Sequence, residues 1–318
     1  MMNTLKNGLK VGLNTTWTLG KIIFPITLIV TILGQTPLMD WLVRLAEPLM
    51  KWIGLSGEAA LPLVIGNFLN LYAGIGAILS LDLTVKEVFI LAVMLSFSHN
   101  LLIESSVAAK VGIKMWIVMV VRIGLALISA FFISIVWKGG SEQAVYGFIS
   151  GSEEQVNGFW NILWHGLEKG FIGILQLAAV VIPLMIFIQV MKDLNWLTVF
   201  SRWMAPITKA LGMKPNTSTT LAAGIFFGLA FGAGVMMQAV KEDGVEKKDL
   251  YLAFIFLVSC HAVIEDTLIF IPLGIPVWPL LIIRLVVAII LTMVVAFIWN
   301  RVEAKNVYRH RKEANYEN

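Results

Sequence analysis

The sequence predicts an all-α polytopic membrane protein of two inverted repeats. Each repeat holds three transmembrane helices, an interfacial amphipathic helix and a Gly-rich re-entrant hairpin. Three observations lead there. Of the 318 residues 58% are hydrophobic and only 14% charged, with mean hydropathy +0.84, whereas soluble domains carry about 25% charged residues. The chain aligns with itself. Its Lys and Arg residues favour one side of the bilayer most strongly if the two halves are upside down to each other.

The self-alignment comes first because a repeat fixes the architecture. At an offset of 158, Pro25, Arg44, Pro48 and Gly66 meet Pro183, Arg202, Pro206 and Gly224. At an offset of 162, Lys86, His99, Glu104, Trp116, Arg122 and Trp137 meet Lys248, His261, Asp266, Trp278, Arg284 and Trp299 without a gap. The offset changes in the charged loop "KEDGVEKKD". The expected units are a first gate repeat, 8–137, an extracytoplasmic linker, 138–165, a second, 166–299, and a basic cytoplasmic tail, 300–318.

Within each unit the elements follow in order. An apolar helix (17–36; 168–191) leads to a shorter amphipathic segment ("DWLVRLAEPLMKWIGL"; "WLTVFSRWMAPITKALGM") whose Trp, Arg and Lys suit a helix lying in the interface. A Gly-rich apolar run (58–80; 219–239) follows, then two more apolar helices (86–105 and 115–137; 249–267 and 279–299). Lys6, Lys10 and Lys21 before "IIFPITLIVTILG" imitate a signal peptide, but no small-residue cleavage site follows. If the Gly-rich run re-enters rather than crosses, each half has three spans and the halves are inverted. Sixteen basic residues then lie in cytoplasmic segments and five outside. If it crosses, the tally is thirteen against eight. Both termini are expected in the cytoplasm of a multi-pass protein.

The polar residues inside apolar helices are the candidate site. Arg122 and Arg284 each lie inside a span, where an unpaired Arg costs at least about 2.5–3.5 kcal/mol. Glu104 is the natural partner of Arg122, and Glu265 or Asp266 of Arg284. Each pair is explained equally well as an internal ion pair or as the lining of a solute path. His99, with Asn100, and His261 sit where "SHN" and "SCHAVIED" would unwind and let the two His–acid–Arg sets converge. Either His is a hydrogen-bonded core residue, a solute ligand or a proton carrier. Glu265 has no twin, because Ile103 holds its matching position. One extra acid suits a single cation, Na⁺ or H⁺. In the Gly-rich runs, Gly66, Asn70, Gly74 and Gly224, Gly228, Gly232 recur every four residues, a spacing for close helix packing. Asn67, Asn70, Tyr72 and Gln238 add side-chain hydrogen-bonding groups at the hairpins.

Other chemistries find little. One cysteine, Cys260, excludes an internal disulfide. No His or acid stands at a recognised metal spacing, and "HAVIE" is not the HExxH of metalloproteases, so no metal and no other resident cofactor is expected. Neither a nucleophile elbow nor a Walker sequence is present, so the chain is not expected to be an enzyme. A net charge of +4 spread over loops excludes a nucleic-acid patch.

The order helix, interfacial helix, hairpin, broken helix, helix resembles the core of the concentrative nucleoside transporters. More closely, "LPLVIGNFLNLYAGIGA" with "SHNLLIESSVAAKVG", and "LAAGIFFGLAFGAGVMM" with "SCHAVIEDTLIFIPLG", make the chain similar to small bacterial membrane proteins of the nucleoside-recognition, or gate, domain family. That family includes spore maturation proteins and the gates of ferrous iron transporters. The nucleoside transporters carry Gln-Thr-Glu in the first hairpin, where this chain has "GNFLNLYAG". The resemblance implies a bacterial cell-membrane protein with a transporter-like fold. The expected function is gradient-driven passage of a small polar solute, nucleoside-like or an organic anion. The alternatives are a non-transporting gate or regulatory subunit of a membrane complex, and divalent metal permeation. The expected partners are the lipid bilayer, the solute and, through self-association, further copies of the chain.

Overall fold

The computed structural model describes residues 2–147, 158–242 and 244–314. The helices are α1 (Met2–Gly34), α2 (Pro37–Trp52), α3 (Ala60–Phe68), α4 (Leu71–Ile78), α5 (Val85–Ser98), α6 (Leu101–Lys110), α7 (Met115–Val136), α8 (Phe159–Asp193), α9 (Trp196–Ala210), α10 (Ser218–Glu242), α11 (Lys247–Ser259), α12 (Glu265–Leu268) and α13 (Val277–Ala314). Among the described residues the only extended pairing is one bridge, Thr84 with Gln143. Five helical stretches are long and apolar enough to cross a membrane, and six if the pair Pro37–Trp52 and Gly57–Phe68, bent by 94°, counts as one.

α1 and α8 begin upstream of the expected 17 and 168, because no proline interrupts their first turns. They pack on each other through small residues. A Cβ at Gly8 would fall 2.7 Å from Ile186 Cα, and one at Gly12 3.0 Å from Ile182 Cα. Further along, Gly20 meets Ile174, and Gly166 meets Leu28. The numbers rise on one helix as they fall on the other, so α1 and α8 run antiparallel.

α2 and α9 expose apolar stripes at helical spacing: Leu38, Trp41, Leu45, Leu49 and Trp52 on one, Trp196, Val199, Trp203 and Ile207 on the other. That pattern suits helices that meet lipid on one side. α3 and α4 form a tight pair around Leu69 and Asn70, where a Cβ at Gly74 would lie 3.0 Å from Gly66 Cα. The counterpart α10 runs as one helix interrupted at Gly228, whose φ of 72° and ψ of 178° only glycine adopts readily.

Two expected helices are broken. The stretch 86–105 divides at His99 and Asn100, the latter left-handed at φ 51°. The stretch 249–267 is not a continuous span. α11 stops at Ser259 after 13 residues, about 20 Å of rise against a hydrocarbon core of about 30 Å. Cys260 to Ile264 then turn before the four-residue α12, with Ala262 left-handed at φ 41°. Hydrophobic content predicts helix there, but it does not register the backbone partners that hold the turn open.

Those partners repeat in both halves. Asn100 N donates to Gly66 O at 2.8 Å, and Ala262 N to Gly224 O at 3.1 Å. Ser56 N donates to Glu87 Oε1 at 2.9 Å, and Lys214 N to Asp249 Oδ2 at 3.1 Å. A Cβ at Gly66 would fall 2.5 Å from Leu95 Cδ2, and one at Gly224 equally close to Leu257 Cδ1. Every pair is related by the offsets 158 and 162. The same glycine therefore lets the hairpin segment approach the broken helix in each half and satisfy an amide the break would orphan.

The expected linker is partly structured. Ala144 N donates to Leu83 O and the Tyr146 hydroxyl to Leu81 O, and its last residues already belong to α8. Residues 148–157 of the linker lie outside the described residues. The expected tail from 300 continues α13 as far as Ala314, and 315–318 lie outside the described residues.

Candidate functional site

The two breaks deliver six ionisable side chains to one buried place. His99 and Glu104 flank the first break and Arg122 reaches them from α7. His261 and Asp266 flank the second, and Arg284 reaches them from α13. All six are buried, and both Arg side chains have no solvent exposure. The rings of His99 and His261, one from each half, lie 5.3 Å apart between centroids.

Each Arg is held in the same way. Arg122 Nη2 is 2.8 Å from Glu104 Oε2 and donates to His99 O at 2.6 Å, while its Nε donates to Phe97 O at 2.7 Å. Arg284 Nη2 donates to Asp266 Oδ2 at 3.1 Å and to His261 O at 2.7 Å, and its Nη1 donates to Thr267 Oγ1 at 3.2 Å. The carbonyls that receive these bonds are free because the helices break there. Of the two expected partners of Arg284, Asp266 takes the role. Glu265 instead accepts a short hydrogen bond from the Tyr72 hydroxyl of α4, joining the halves a second time.

The two imidazoles are also fixed alike. His99 Nδ1 is 2.7 Å from Leu95 O and His261 Nδ1 is 2.8 Å from Leu257 O. A carbonyl only accepts, so both Nδ1 atoms carry hydrogen. Both Nε2 atoms then face Glu104. His99 Nε2 is 3.3 Å from Oε1, and His261 Nε2 is 3.2 Å from Oε2, off the hydrogen-bonding direction. His261 Nε2 is also 3.6 Å from Asp266 Oδ2. Glu104 thus bridges the halves, where the sequence pairs it only within its own half.

Other expected site residues stand apart. Asn67 donates to Leu63 O one turn back, and the Asn70 side chain caps α4 by accepting from Ala73 N. Both are spent on local structure. Gln238 is exposed and donates to Glu242 on its own helix, outside the buried cluster, because the α10 break lies ten residues earlier at Gly228. Asn100 sits in the break with its side-chain oxygen buried and unpartnered. Thr267 and the carbonyls of Phe97, His99 and His261 join the site unforeseen. Only Thr267 had a sequence signal, as the hydroxyl next to Asp266 that matches Ser105 next to Glu104.

Ligand atoms of His99, His261 and Asp266 lie within 4.8 Å of one another, a spacing at which a metal ion is worth weighing. Zinc bonds of about 2.0–2.2 Å would need the set to contract. Glu104 and Asp266 already neutralise two guanidiniums beside them, so a dication would meet two like charges. The donor set therefore fits a dication poorly.

The nucleoside recognition ("Gate") family matches the chain twice, over 16–114 and 174–276. The chain belongs to this family. The matches start 158 residues apart and end 162 apart, the two offsets of the self-alignment. The chain is 62% identical over 294 residues, 92% of this chain and 94% of the relative, to an uncharacterized membrane protein, YvoD, of Bacillus subtilis (strain 168). No solved structure matches.

Proposed function

We propose that the chain is a non-enzymatic, gradient-driven carrier of a small polar solute in the bacterial cell membrane, with the buried cluster at its centre. The observation that carries this reading is the convergence of two His–acid–Arg sets, one from each half, at two helix breaks. Broken helices meeting between repeats form the solute and ion sites of many secondary transporters. Irregular backbone at that depth persists only where protein or a wet cavity satisfies it.

The inversion of the repeats is supported by α1 and α8. They occupy matching places in the two halves and run antiparallel, as a two-fold axis in the membrane plane requires. In this reading the α3–α4 pair and the α10 segment around Gly228 are the re-entrant elements, 138–165 is extracytoplasmic and both termini are cytoplasmic. Both Arg side chains are already matched by acids, which favours an uncharged, nucleoside-like solute over an organic anion. The expected coupling ion is Na⁺ or H⁺.

The test is uptake of labelled nucleosides, bases and small organic acids into vesicles holding the purified protein, with and without a Na⁺ or H⁺ gradient. Gradient-dependent uptake of a nucleoside or base is the expected result. No uptake of any class, together with a stoichiometric partner on purification, would replace this reading with a gate subunit.

A further inference from the structure

We propose that the Nε2 atoms of His99 and His261, with the Glu104 carboxylate between them, form a proton-binding site that keeps one proton in the resting protein. It deepens the carrier reading by naming H⁺ as the coupling ion. Proton binding itself does not depend on transport.

The argument begins with the tautomers. Leu95 O and Leu257 O fix hydrogen on both Nδ1 atoms, so a neutral His99 or His261 presents a bare lone pair at Nε2. Each Nε2 lies close to a carboxylate oxygen of Glu104, at 3.3 Å for His99 and 3.2 Å for His261, the latter off the hydrogen-bonding direction. Two acceptors at that distance in a water-poor interior repel unless a proton lies between them. The unpartnered, fully buried His261 Nε2 marks where a hydrogen is wanted.

The charge count points the same way. The ionisable groups facing the bridge are Tyr72 from α4, His99, Glu104 from α6, Arg122 from α7, Cys260 and His261 in the second break, Glu265 and Asp266 from α12, and Arg284 from α13. Three carboxylates stand against two guanidiniums, leaving one negative charge. The count takes Glu265 as ionised, the form in which accepting from the Tyr72 hydroxyl is strongest. One added proton, forming an imidazolium at His99 or His261, brings the cluster to neutrality. An uncompensated charge in a buried cluster is costly.

Loading takes a proton from water onto an Nε2 lone pair. The proton comes from a hydronium ion, whose O–H bond breaks as the N–H bond forms, leaving water, and release reverses the step. Because Glu104 comes from the first half and His261 from the second, the loaded state holds the halves together and the empty state sets a lone pair against a carboxylate across their boundary. Opening of the halves and release of the proton are thereby linked.

The test is ¹⁵N NMR of histidine-labelled full-length protein in lipid bilayers at pH 7.5, without solute. His99→Gln and His261→Gln assign the signals. The expected result is close to one imidazolium per chain from the pair, with both ring nitrogens protonated. Free histidines would give roughly a tenth each at that pH. Glu104→Gln should lower the imidazolium signal at least threefold. If that variant does not fold, a pH titration of the wild type decides, with imidazolium persisting above pH 7.5. Two neutral rings at pH 7.5 would overturn the proposal, as would a signal indifferent to Glu104→Gln. So would Zn²⁺ binding at micromolar concentration that removes the imidazolium, which would make the cluster a metal site. Since the spectra need no transport, a failed uptake assay leaves this result standing, and neutral rings leave the carrier reading standing.

Discussion

Truncating Arg284 should destabilise the protein more than truncating Arg122, although both are fully buried and make matching contacts. Arg122→Ala removes donors from Phe97 O and His99 O and a cation from Glu104. Arg284→Ala removes donors from His261 O and Thr267 and a cation from Asp266. Breaking a buried pair by deleting one partner costs about 3–5 kcal/mol, mainly because a charge is left uncompensated. The difference lies in what each acid has left. Glu104 keeps two imidazoles, at 3.2 and 3.3 Å, whereas Asp266 keeps only His261, at 3.6 Å. At ordinary effective dielectric a charge pair near 4 Å is worth about 4 kcal/mol before solvation costs, so one retained neighbour at close range moves the balance by about 1 kcal/mol. Arg122→Ala should fall near the lower end of the range and Arg284→Ala near the upper. The assay is reversible unfolding in bicelles by denaturing detergent, read by Trp fluorescence. A double cycle adds Glu104→Gln to Arg122→Met and Asp266→Asn to Arg284→Met, and each double variant should recover at least about 1.5 kcal/mol relative to the sum of the singles. Either Ala variant within about 1 kcal/mol of wild type, or the opposite order, would refute the reasoning.

Three further outcomes follow from the same contacts. Gly66→Ala would put a methyl 2.5 Å from Leu95 Cδ2, an overpacking that costs about 1–3 kcal/mol; Leu95→Ala should rescue part of it in the same unfolding assay. Ala262→Gly should stabilise by about 0.5–1 kcal/mol, because relief of a left-handed L-residue outweighs the added freedom of the unfolded chain. A loss of stability there would show that the alanine methyl, 3.2 Å from a Cβ built at Gly228, is needed for packing. Tyr72→Phe should cost about 1.5–3 kcal/mol by removing the donor to a charged acceptor, and Glu265→Gln should cost less because the amide oxygen still accepts.

Much of the arrangement was legible in one dimension because duplication leaves marks that chance does not. His99, Glu104 and Arg122 recur at a single offset, and that recurrence marked the cluster. Arginine in an apolar helix demands a partner, so the Arg122–Glu104 pair could be read without coordinates. That the two sets converge could be read from the polar breaks; which side chains meet across the halves could not. The offsets say which residues are equivalent, not which ones touch, so the reach of Glu104 to His261 and of Tyr72 to Glu265 stayed hidden. The unwinding at "SCHAVIED" is marked in the sequence by its polar residues, but the extent of the break within 249–267 is not, for a similar reason. "AFIFLVSCHAVIEDTL" is apolar enough for a span, but the amides of Ala262 and Val263 find carbonyls of α10 in place of their own helix. Gln238 attracted notice as a polar group in an apolar run, yet its amide serves only its own helix.

The spacing of the ion pairs bears on how the protein is made. Arg122 follows Glu104 by 18 residues, and Arg284 follows Asp266 by the same number. A nascent chain leaving the ribosome therefore never has to wait long for the counter-charge of a guanidinium, since the acid has always been synthesised first. Each guanidinium can therefore enter the bilayer with its counter-charge already in the same half. The contacts of His261 with Glu104 and His99, by contrast, join residues far apart in the chain and need both halves present.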